Sequence, residues 1–297
     1  MKRLKYLVLL FLSTLAIGQV QDDFVKRLKA VSNQTIVFYN IDGVDFSSQT
    51  FSNQFTEKGL KKLYKKYSIQ EDDIKVRDES LTNNNLFVTK SEKILENLYS
   101  TNSYYFVENQ NKTVSIFWFG YYNKLDKEFE RKYVNLILND AIPKDVFEPM
   151  TIDSIDFAGR KIKLGNSCYW TNVNTVQCPR NGEMNWSVHK TFESAKMAVE
   201  NQFSVTKNRK GGKFLSETEV DVEFEGTETR AKKVIYDFTG INSVLVGMSG
   251  GKTLTIYYVA SQVRENYVSC CMSFWNNDNK TESGLSPLLE EVMKLKK

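Results

Sequence analysis

The sequence is poor in histidine, proline and cysteine, and no later segment matches the long apolar run at its start. Its 297 residues include one histidine, His189, and four cysteines. A single histidine excludes multi-histidine zinc motifs such as H-E-x-x-H, and the paired cysteine spacing of structural zinc sites is absent. We therefore expect no metal and no cofactor. We also expect His189 to be a surface or loop residue, although a catalytic triad would have to use it.

The first eighteen residues have the three-part pattern of a secretory signal peptide. A basic start at Met1–Lys5 precedes the apolar stretch Tyr6–Leu15, and Ala16-Ile17-Gly18 places small residues at a cleavage site before Gln19. An uncleaved anchor is the weaker alternative, because a spanning helix needs roughly 20 apolar residues. We predict an exported protein that is periplasmic, at the cell surface or secreted, with no transmembrane segment in the mature chain.

The formal net charge of +4 overstates how basic the protein is. Lys2, Arg3 and Lys5 lie in the signal segment, which contains no acidic residue, so the rest of the chain is close to neutral. A near-neutral protein lacks the basic surface that nucleic-acid binding requires. We therefore expect no nucleic-acid partner.

Two of the four prolines, Pro143 and Pro149, bound a stretch without periodicity near the middle of the chain. This predicts a linker at 143–150 between an N-terminal domain at 19–142 and a C-terminal domain at 151–297. Strand-like runs are interrupted by helices without regular βαβ alternation. The predicted fold class is α+β: two domains, each a mainly antiparallel sheet covered by helices. Both halves end in a hairpin and a helix, which leaves a divergent tandem repeat open.

Helical segments are predicted from apolar periodicity and from capping residues. In the first half they lie at about 22–31, 56–67, 91–99 and 124–138. In the second half one helix is capped by Thr191 and runs to about Phe203. Another begins after Ser286, with Pro287 in its first turn.

The four cysteines indicate one disulfide, because export favours oxidation. Cys168 and Cys178 flank a segment with a natural turn at its centre, so two arms of equal length would bring the two sulfur atoms together. We predict that they pair. Cys270 and Cys271 are neighbours in a predicted strand and so face opposite sides. A cross-link from either of them to Cys168 or Cys178 is the rival connectivity.

Two short motifs resemble catalytic or nucleotide-binding loops. Gly247–Gly251 has the letters of the G-x-S-x-G nucleophile elbow, which requires a following helix. A strand is predicted after it instead, so we interpret the motif as a hairpin turn. The run Gly251-Lys252-Thr253 lacks the earlier glycine of a phosphate-binding loop. We assign no catalytic, cofactor-binding or metal-binding residue.

Five segments of the second half are similar to uncharacterised exported proteins of flavobacterium-type bacteria. They are Phe157–Arg160, Gly165–Trp170, Val176–Pro179, Gly182–His189 and Ser249–Thr253. The resemblance implies export but no activity, cofactor or catalytic residue.

Three hypotheses of function follow. Export, near-neutral charge and the lack of a complete catalytic motif favour a non-catalytic binding or envelope-associated module with an unknown envelope or extracellular partner. The alternative is a carboxylate-dependent envelope hydrolase, for example acting on glycans, since paired acids leave no short motif. Two carboxyl groups with raised pKa across a cleft would favour the enzyme, and a shallow aromatic or apolar patch would favour binding. A structural role in a larger complex would predict a large flat apolar patch.

Overall fold

The computed structural model describes residues 25, 27–122, 125–150, 152–165, 167–209, 211–238 and 251–296. The predicted signal peptide at 1–18 lies outside the described residues, as do positions 247–250 of the predicted hairpin turn. A strand follows Gly251, as expected, and no helix does.

The first half of the chain forms an eight-stranded sheet. Its strands are β1 (Lys29–Asn33), β2 (Ile36–Ile41), β3 (Val44–Phe51), β4 (Ile74–Val76), β5 (Asn85–Leu95), β6 (Leu98–Glu108), β7 (Val114–Tyr122) and β8 (Phe147–Glu148). Helix α1 (Glu57–Lys66) follows β3 and helix α2 (Lys127–Leu138) follows β7. The strand order is β4-β5-β6-β7-β3-β2-β1-β8. All pairs are antiparallel except β1 with β8.

The second half forms another eight-stranded sheet and a separate hairpin. The hairpin is β9 (Ser154–Phe157) and β10 (Arg160–Lys163). The sheet contains β11 (Tyr169–Asn172), β12 (Thr175–Cys178), β13 (Gly182–His189), β14 (Gly212–Phe224), β15 (Thr227–Phe238), β16 (Thr253–Val263), β17 (Asn266–Trp275) and β18 (Met293–Leu295). Helix α3 (Phe192–Lys207) follows β13 and the single turn α4 (Pro287–Glu290) follows β17. The order is β11-β12-β13-β17-β16-β15-β14-β18, and every pair is antiparallel.

The two halves share a topology. Each has three antiparallel strands, a helix, four more antiparallel strands and a second helix. In each, the last of the four strands pairs with the last of the three: β7 with β3, and β17 with β13. They differ in the final strand, because β8 joins β1 in parallel whereas β18 joins β14 in antiparallel fashion. The repeat that the sequence left open is therefore present as a repeat of topology.

The prediction of mainly antiparallel sheets is confirmed, but the predicted helical cover is only partial. In the first half, α1 and α2 lie on opposite faces of the sheet: Leu63 packs with Phe106 and Ile116, and Tyr133 packs with Phe119. In the second half, α3 covers one face. The other face is covered mainly by the hairpin β9–β10 and by the short turn α4.

The stretch at 143–150 is ordered against the first sheet. Lys144–Val146 form a 3-10 turn, Val146 is buried in the first half's core, and Phe147 pairs with Ala30 of β1. Part of the predicted linker thus belongs to the first sheet. The predicted division into domains at 19–142 and 151–297 stays a prediction.

The helices α1 and α3 lie close to where the sequence predicts them, and a threonine side chain caps each. Thr56 and Thr191 cap α1 and α3, each accepting a backbone N–H bond of 3.2 Å at its hydroxyl. The helix predicted at 91–99 is wrong, and the helix predicted at 22–31 is confirmed only in part, because Val25 and Arg27 are helical. β1 already begins at Lys29, and 91–99 lies in the β5–β6 hairpin. That end of the hairpin is exposed to solvent, so its sequence of lysines and glutamates resembles that of an exposed helix. The pairing of β6 with β7 makes the segment a strand instead.

The predicted disulfide is confirmed: Cys168 and Cys178 are bonded, with their Cα atoms 4.2 Å apart. Cys178 ends β12 and Cys168 lies just before β11. Cys270 and Cys271 are free, and they lie on opposite faces of β17 as expected.

The two halves are joined by apolar packing and by close polar contacts. Val31 and Phe38 of the first sheet belong to the second half's core, together with Trp186 of β13. The ammonium group of Lys29 lies 4.0 Å from the Trp186 ring centroid. Gly43, in the turn between β2 and β3, lies against the His189 ring, so that a Cβ atom there would lie 2.4 Å from Cε1.

We expect Gly43→Ala to destabilise the protein more than Gly226→Ala. Both glycines have positive φ, +78° and +81°, so alanine costs about 1 to 2 kcal/mol of backbone strain at either position. Gly226 has open space around it, whereas Gly43 meets His189. Overpacking there should add about 1 to 3 kcal/mol. Urea unfolding of both variants measures the difference; equal losses would show that the turn does not press on His189.

Candidate functional site

A row of polar residues crosses the α1 face of the first sheet. Asn40, Asp45, Gly120 and Asn102 are register partners on the adjacent strands β2, β3, β7 and β6. Register partners in an antiparallel sheet project from the same face. The apolar cluster under α1 includes Val114, Ile116 and Phe106 further along these strands, so α1 leaves the polar row uncovered.

Helix α3 of the second half lies over this row and encloses a cavity of about 380 Å³. The floor and walls come from the first half, and the roof comes from α3. The lining of the cavity includes Asp42, Asp45, Asn102, Trp118, Gly120, Tyr122, His189, Met197 and Ala198. Tyr122 and Met197 are 43% and 61% exposed, so they mark the mouth of the cavity. We call this space the junction cavity.

Trp118 forms an aromatic floor because residue 120 is glycine. The Trp118 Nε1–H group donates a 2.8 Å hydrogen bond to Asn102 Oδ1, which fixes the indole. The ring lies over Gly120: a Cβ atom at that position would lie 2.8 Å from ring atom Cζ2. A larger residue at 120 would push the indole out of place.

Asp45 contributes a carboxylate whose charge is not balanced by the protein. Asn40 Nδ2 donates a 2.7 Å hydrogen bond to Asp45 Oδ1. Burial raises the pKa of Asp45, and this hydrogen bond opposes the rise. Among the described residues, no lysine or arginine lies within ion-pair distance of it. The pKa of Tyr122 is also raised, mainly by burial and to a smaller extent by the negative charge of Asp45.

Asp42, at the edge of the same cavity, has positively charged neighbours. Its carboxylate accepts a 2.8 Å bond from Arg27 Nε, and Lys190 Nζ lies 3.8 Å away. The protein thus balances one of the cavity's two carboxylates and leaves the other unbalanced.

The expectation that His189 is a surface or loop residue is wrong. It ends β13 and is 3% exposed, because the turn at Gly43 closes over it. Its Nε2 lies 2.8 Å from Ser269 Oγ, an arrangement that resembles a nucleophile with its base. Ser269 is itself only 3% exposed, so a substrate has no access to it. Burial lowers the pKa of His189 to about 4, which makes it a weak base and leaves it neutral near pH 7.

Lys29 occupies a second cavity between the halves, of about 420 Å³. Its Nζ donates a 3.1 Å bond to the Asp156 carbonyl and lies over Trp186. Burial lowers the pKa of Lys29 to about 8, although Glu148 and Asp156 oppose the shift. Because the ammonium group of Lys29, a residue of the first sheet, is already engaged by two groups of the second half, we interpret Lys29 as part of the contact between the halves.

A third cavity, of about 240 Å³, holds two carboxyl groups in the second half. Glu183 of β13 and Asp278, in the turn after β17, both line it beside Trp275. Burial raises the pKa of each. Asp278 Oδ2 also accepts the Trp275 backbone N–H at 2.7 Å, which opposes the rise.

Within the described ranges, no group of three or more histidine, cysteine, aspartate or glutamate residues is arranged to hold a metal ion. Among the same residues, no helix combines the length and the apolar character that crossing a membrane requires.

Comparison with known proteins gives little further information. No family model matches the chain, and no curated protein matches it. Two solved structures show a weak likeness. One is the di-domain ARO/CYC StfQ from the steffimycin biosynthetic pathway, with 8% identity over 91% of this chain and 79% of that chain and a TM-score of 0.17. The other is the di-domain ARO/CYC BexL from the BE-7585A biosynthetic pathway, with 7% identity, coverage of 84% and 74%, and a TM-score of 0.15. Scores this low carry no argument about fold or function.

Two buried groups should give the unfolding free energy opposite dependences on pH. Glu130 is a buried residue of α2; the hydroxyls of Ser103 and Tyr105 donate to its carboxylate, and burial raises its pKa from 4.5 to about 7. The Glu130 carboxyl group ionises at a lower pH in the unfolded state than in the folded state. Glu130 therefore lowers the free energy of unfolding as pH rises from about 4.5 to 7. His189, whose pKa is lowered from 6.5 to about 4, makes it more stable as pH rises through about 4 to 6.5.

We therefore expect Glu130→Gln to become more stable relative to the wild type as pH rises from about 4.5 to 7. We expect His189→Gln to become less stable relative to the wild type as pH rises from about 4 to 6.5. Each change should be roughly 3 kcal/mol over the full window, since one pKa unit corresponds to about 1.4 kcal/mol. Urea unfolding at half-unit intervals from pH 4 to 7.5 measures both. Profiles parallel to the wild type would contradict the assignment.

Proposed function

We propose that this protein is an exported, non-catalytic binding module whose ligand site is the junction cavity. The observation that carries the proposal is the polar row with the unbalanced carboxylate of Asp45, left uncovered by α1 and roofed by α3. A partly buried carboxylate without a cation destabilises the folded state. Such groups are concentrated at functional sites.

The shape and composition of the cavity support the same function. Ligand sites in proteins are concave, largely apolar or aromatic, and carry a few polar groups that orient the ligand. Here Trp118 and Tyr122 supply aromatic surface, and Asp45 and Asn102 supply the polar groups. The site needs both halves, because α3 provides its roof.

Export is supported by three observations. The sequence begins with the pattern of a signal peptide, Cys168 and Cys178 form a disulfide, and the described residues contain no membrane-spanning helix. Disulfides persist mainly in oxidising compartments outside the cytoplasm. An envelope or extracellular ligand or partner fits this location.

A variant that fills the junction cavity should lose ligand binding. Ala198 lies on α3 and lines the cavity, so Ala198→Trp should occupy it, whereas Lys196→Trp, on the exposed side of the same helix, should not. The probes are choline, methyl α-glucoside, tri-alanine and decanoate, tested by thermal shift and calorimetry. We expect at least one probe to bind the wild type and Lys196→Trp, and to bind Ala198→Trp at least tenfold more weakly. Equal binding to all three proteins, or binding of no probe, would contradict the proposal.

A carboxylate-dependent hydrolase is the second candidate, and the third cavity favours it. Glu183 and Asp278 share that cavity, both have raised pKa values, and Trp275 provides an aromatic wall of the kind that sugar rings stack on. Glycosidases use one acid with a raised pKa as the proton donor and a second carboxylate as base or nucleophile.

If the third cavity is catalytic, the wild type should release fluorophore from 4-methylumbelliferyl glycosides or soluble products from peptidoglycan. Glu183→Gln and Asp278→Asn should each lower that rate at least 100-fold, because both carboxyl groups are required. Asp153→Asn, an acid outside the cavity, is the control. Absence of hydrolysis by the wild type, or equal rates in all variants, would rule out this candidate for these substrates.

A further inference from the structure

We propose that the junction cavity binds an organic cation, a primary or quaternary ammonium group, between the carboxylate of Asp45 and the aromatic rings of Trp118 and Tyr122. This inference rests on the proposed function and names the chemical class of its ligand.

The charge of the cavity wall favours a cationic ligand. The described residues that line the cavity include two aspartates and neither lysine nor arginine. Asp42 is balanced by Arg27 and Lys190 from outside the lining, and His189 is neutral near pH 7. The remaining charge is that of Asp45, so the cavity is negative. An anionic ligand would be repelled, and a neutral ligand would leave the carboxylate unbalanced in a partly dry space.

The aromatic rings of Trp118 and Tyr122 lie beside Asp45. Asp45 on β3 lies directly opposite Gly120 on β7, where side chains of paired residues are about 5 Å apart. The Trp118 ring covers Gly120, so the indole and the carboxylate border the same part of the floor. Tyr122 follows on the same face of β7, and its hydroxyl is within the electrostatic reach of Asp45.

These groups together have the chemistry that binds ammonium ions. The face of a tryptophan or tyrosine ring carries partial negative charge and attracts a cation, most strongly when water is excluded. Recognition of quaternary ammonium groups by aromatic residues uses this attraction. The Asp45 carboxylate adds a full charge, and the polarisable thioether of Met197 lies at the mouth. The cavity of about 380 Å³ exceeds a trimethylammonium group, so the rest of the ligand extends toward Tyr122 and Met197.

The test compares choline with 3,3-dimethyl-1-butanol, which has the same shape without the charge. We expect calorimetry to show that the wild type binds choline at least tenfold more tightly than the alcohol. Asp45→Asn preserves the size of the side chain and should lower choline affinity at least tenfold, which removes the preference. Asp278→Asn, an acid with a raised pKa in another cavity, is the matched control and should bind choline as the wild type does.

A second variant allows the inference to be tested even if Asp45→Asn does not fold. Tyr122→Leu keeps an apolar side chain at a half-exposed position and should weaken choline binding severalfold while leaving the alcohol unaffected. Circular dichroism and thermal melting establish that each variant is folded. The primary-ammonium probe is 1,5-diaminopentane. The inference would be overturned if neither choline nor this diamine binds the wild type, if choline binds no more tightly than the alcohol when it does bind, or if choline binding is unchanged in both Asp45→Asn and Tyr122→Leu.

The outcomes also separate this inference from the proposed function. If methyl α-glucoside, tri-alanine or decanoate binds and Ala198→Trp blocks it, while choline and 1,5-diaminopentane do not bind, then the cavity is a binding site but not for cations. If choline binds equally to the wild type and Ala198→Trp, its site lies elsewhere and both conclusions fail. If choline or the diamine binds and both Ala198→Trp and Asp45→Asn abolish binding, both conclusions are supported.

Discussion

The contact between β13 of the second half and the face of the first sheet is the constraint on which the rest of the structure depends. A broad sheet has two apolar faces, and each must be covered to be stable in water. Helix α1 is only ten residues long and covers one part of its face. Val31 and Phe38 on the same face are covered by the second half, where they join the core around Trp186. Between these two covered regions lies the polar row, and the helix that follows β13 lies over it. The junction cavity is therefore a consequence of how the halves meet.

The repeated topology explains why one half supplies the floor of the site and the other supplies the roof. In both halves a helix follows the third strand and lies on one face of its own sheet. Because β13 contacts the first sheet, the helix that follows it has two neighbours. Val199 and Phe203 pack on the second sheet, while Met197 and Ala198 face the cavity. The first half has no equivalent arrangement, since α1 contacts its own sheet alone in its apolar cluster. Two units of the same topology thus give one asymmetric site.

Sequence reasoning predicted the features that are decided within a few residues and missed those that depend on register. Thr191 caps α3 through a local hydrogen bond, and the Cys168–Cys178 disulfide closes a short hairpin-like segment; both were predicted. The buried state of His189 was not predicted, because it requires Gly43 from a distant turn. Asp45, Trp118 and Tyr122 were also missed as a site. Asp45 lies more than 70 residues before Trp118 and Tyr122 in the chain, and the pairing of β3 with β7 brings it beside them. The one local signal was Gly120, a glycine inside an otherwise aromatic strand, which often marks a close approach of other groups.

The contrast between Asp42 and Asp45 bears most directly on function. Both lie beside one turn and border one cavity, and the same protein interior surrounds them. The charge of Asp42 is matched by Arg27 of the first half and by Lys190 of the second. Among the described residues, the side chain of Asp45 receives one hydrogen bond, from the Asn40 amide, and a neutral asparagine at position 45 could accept the same bond. A purely structural role would therefore be filled at lower cost by a neutral side chain, since burying an unpaired charge is unfavourable. A negative charge at position 45 is favourable when a cation enters the cavity. The aromatic floor beside Asp45 is the surface on which an organic cation is held.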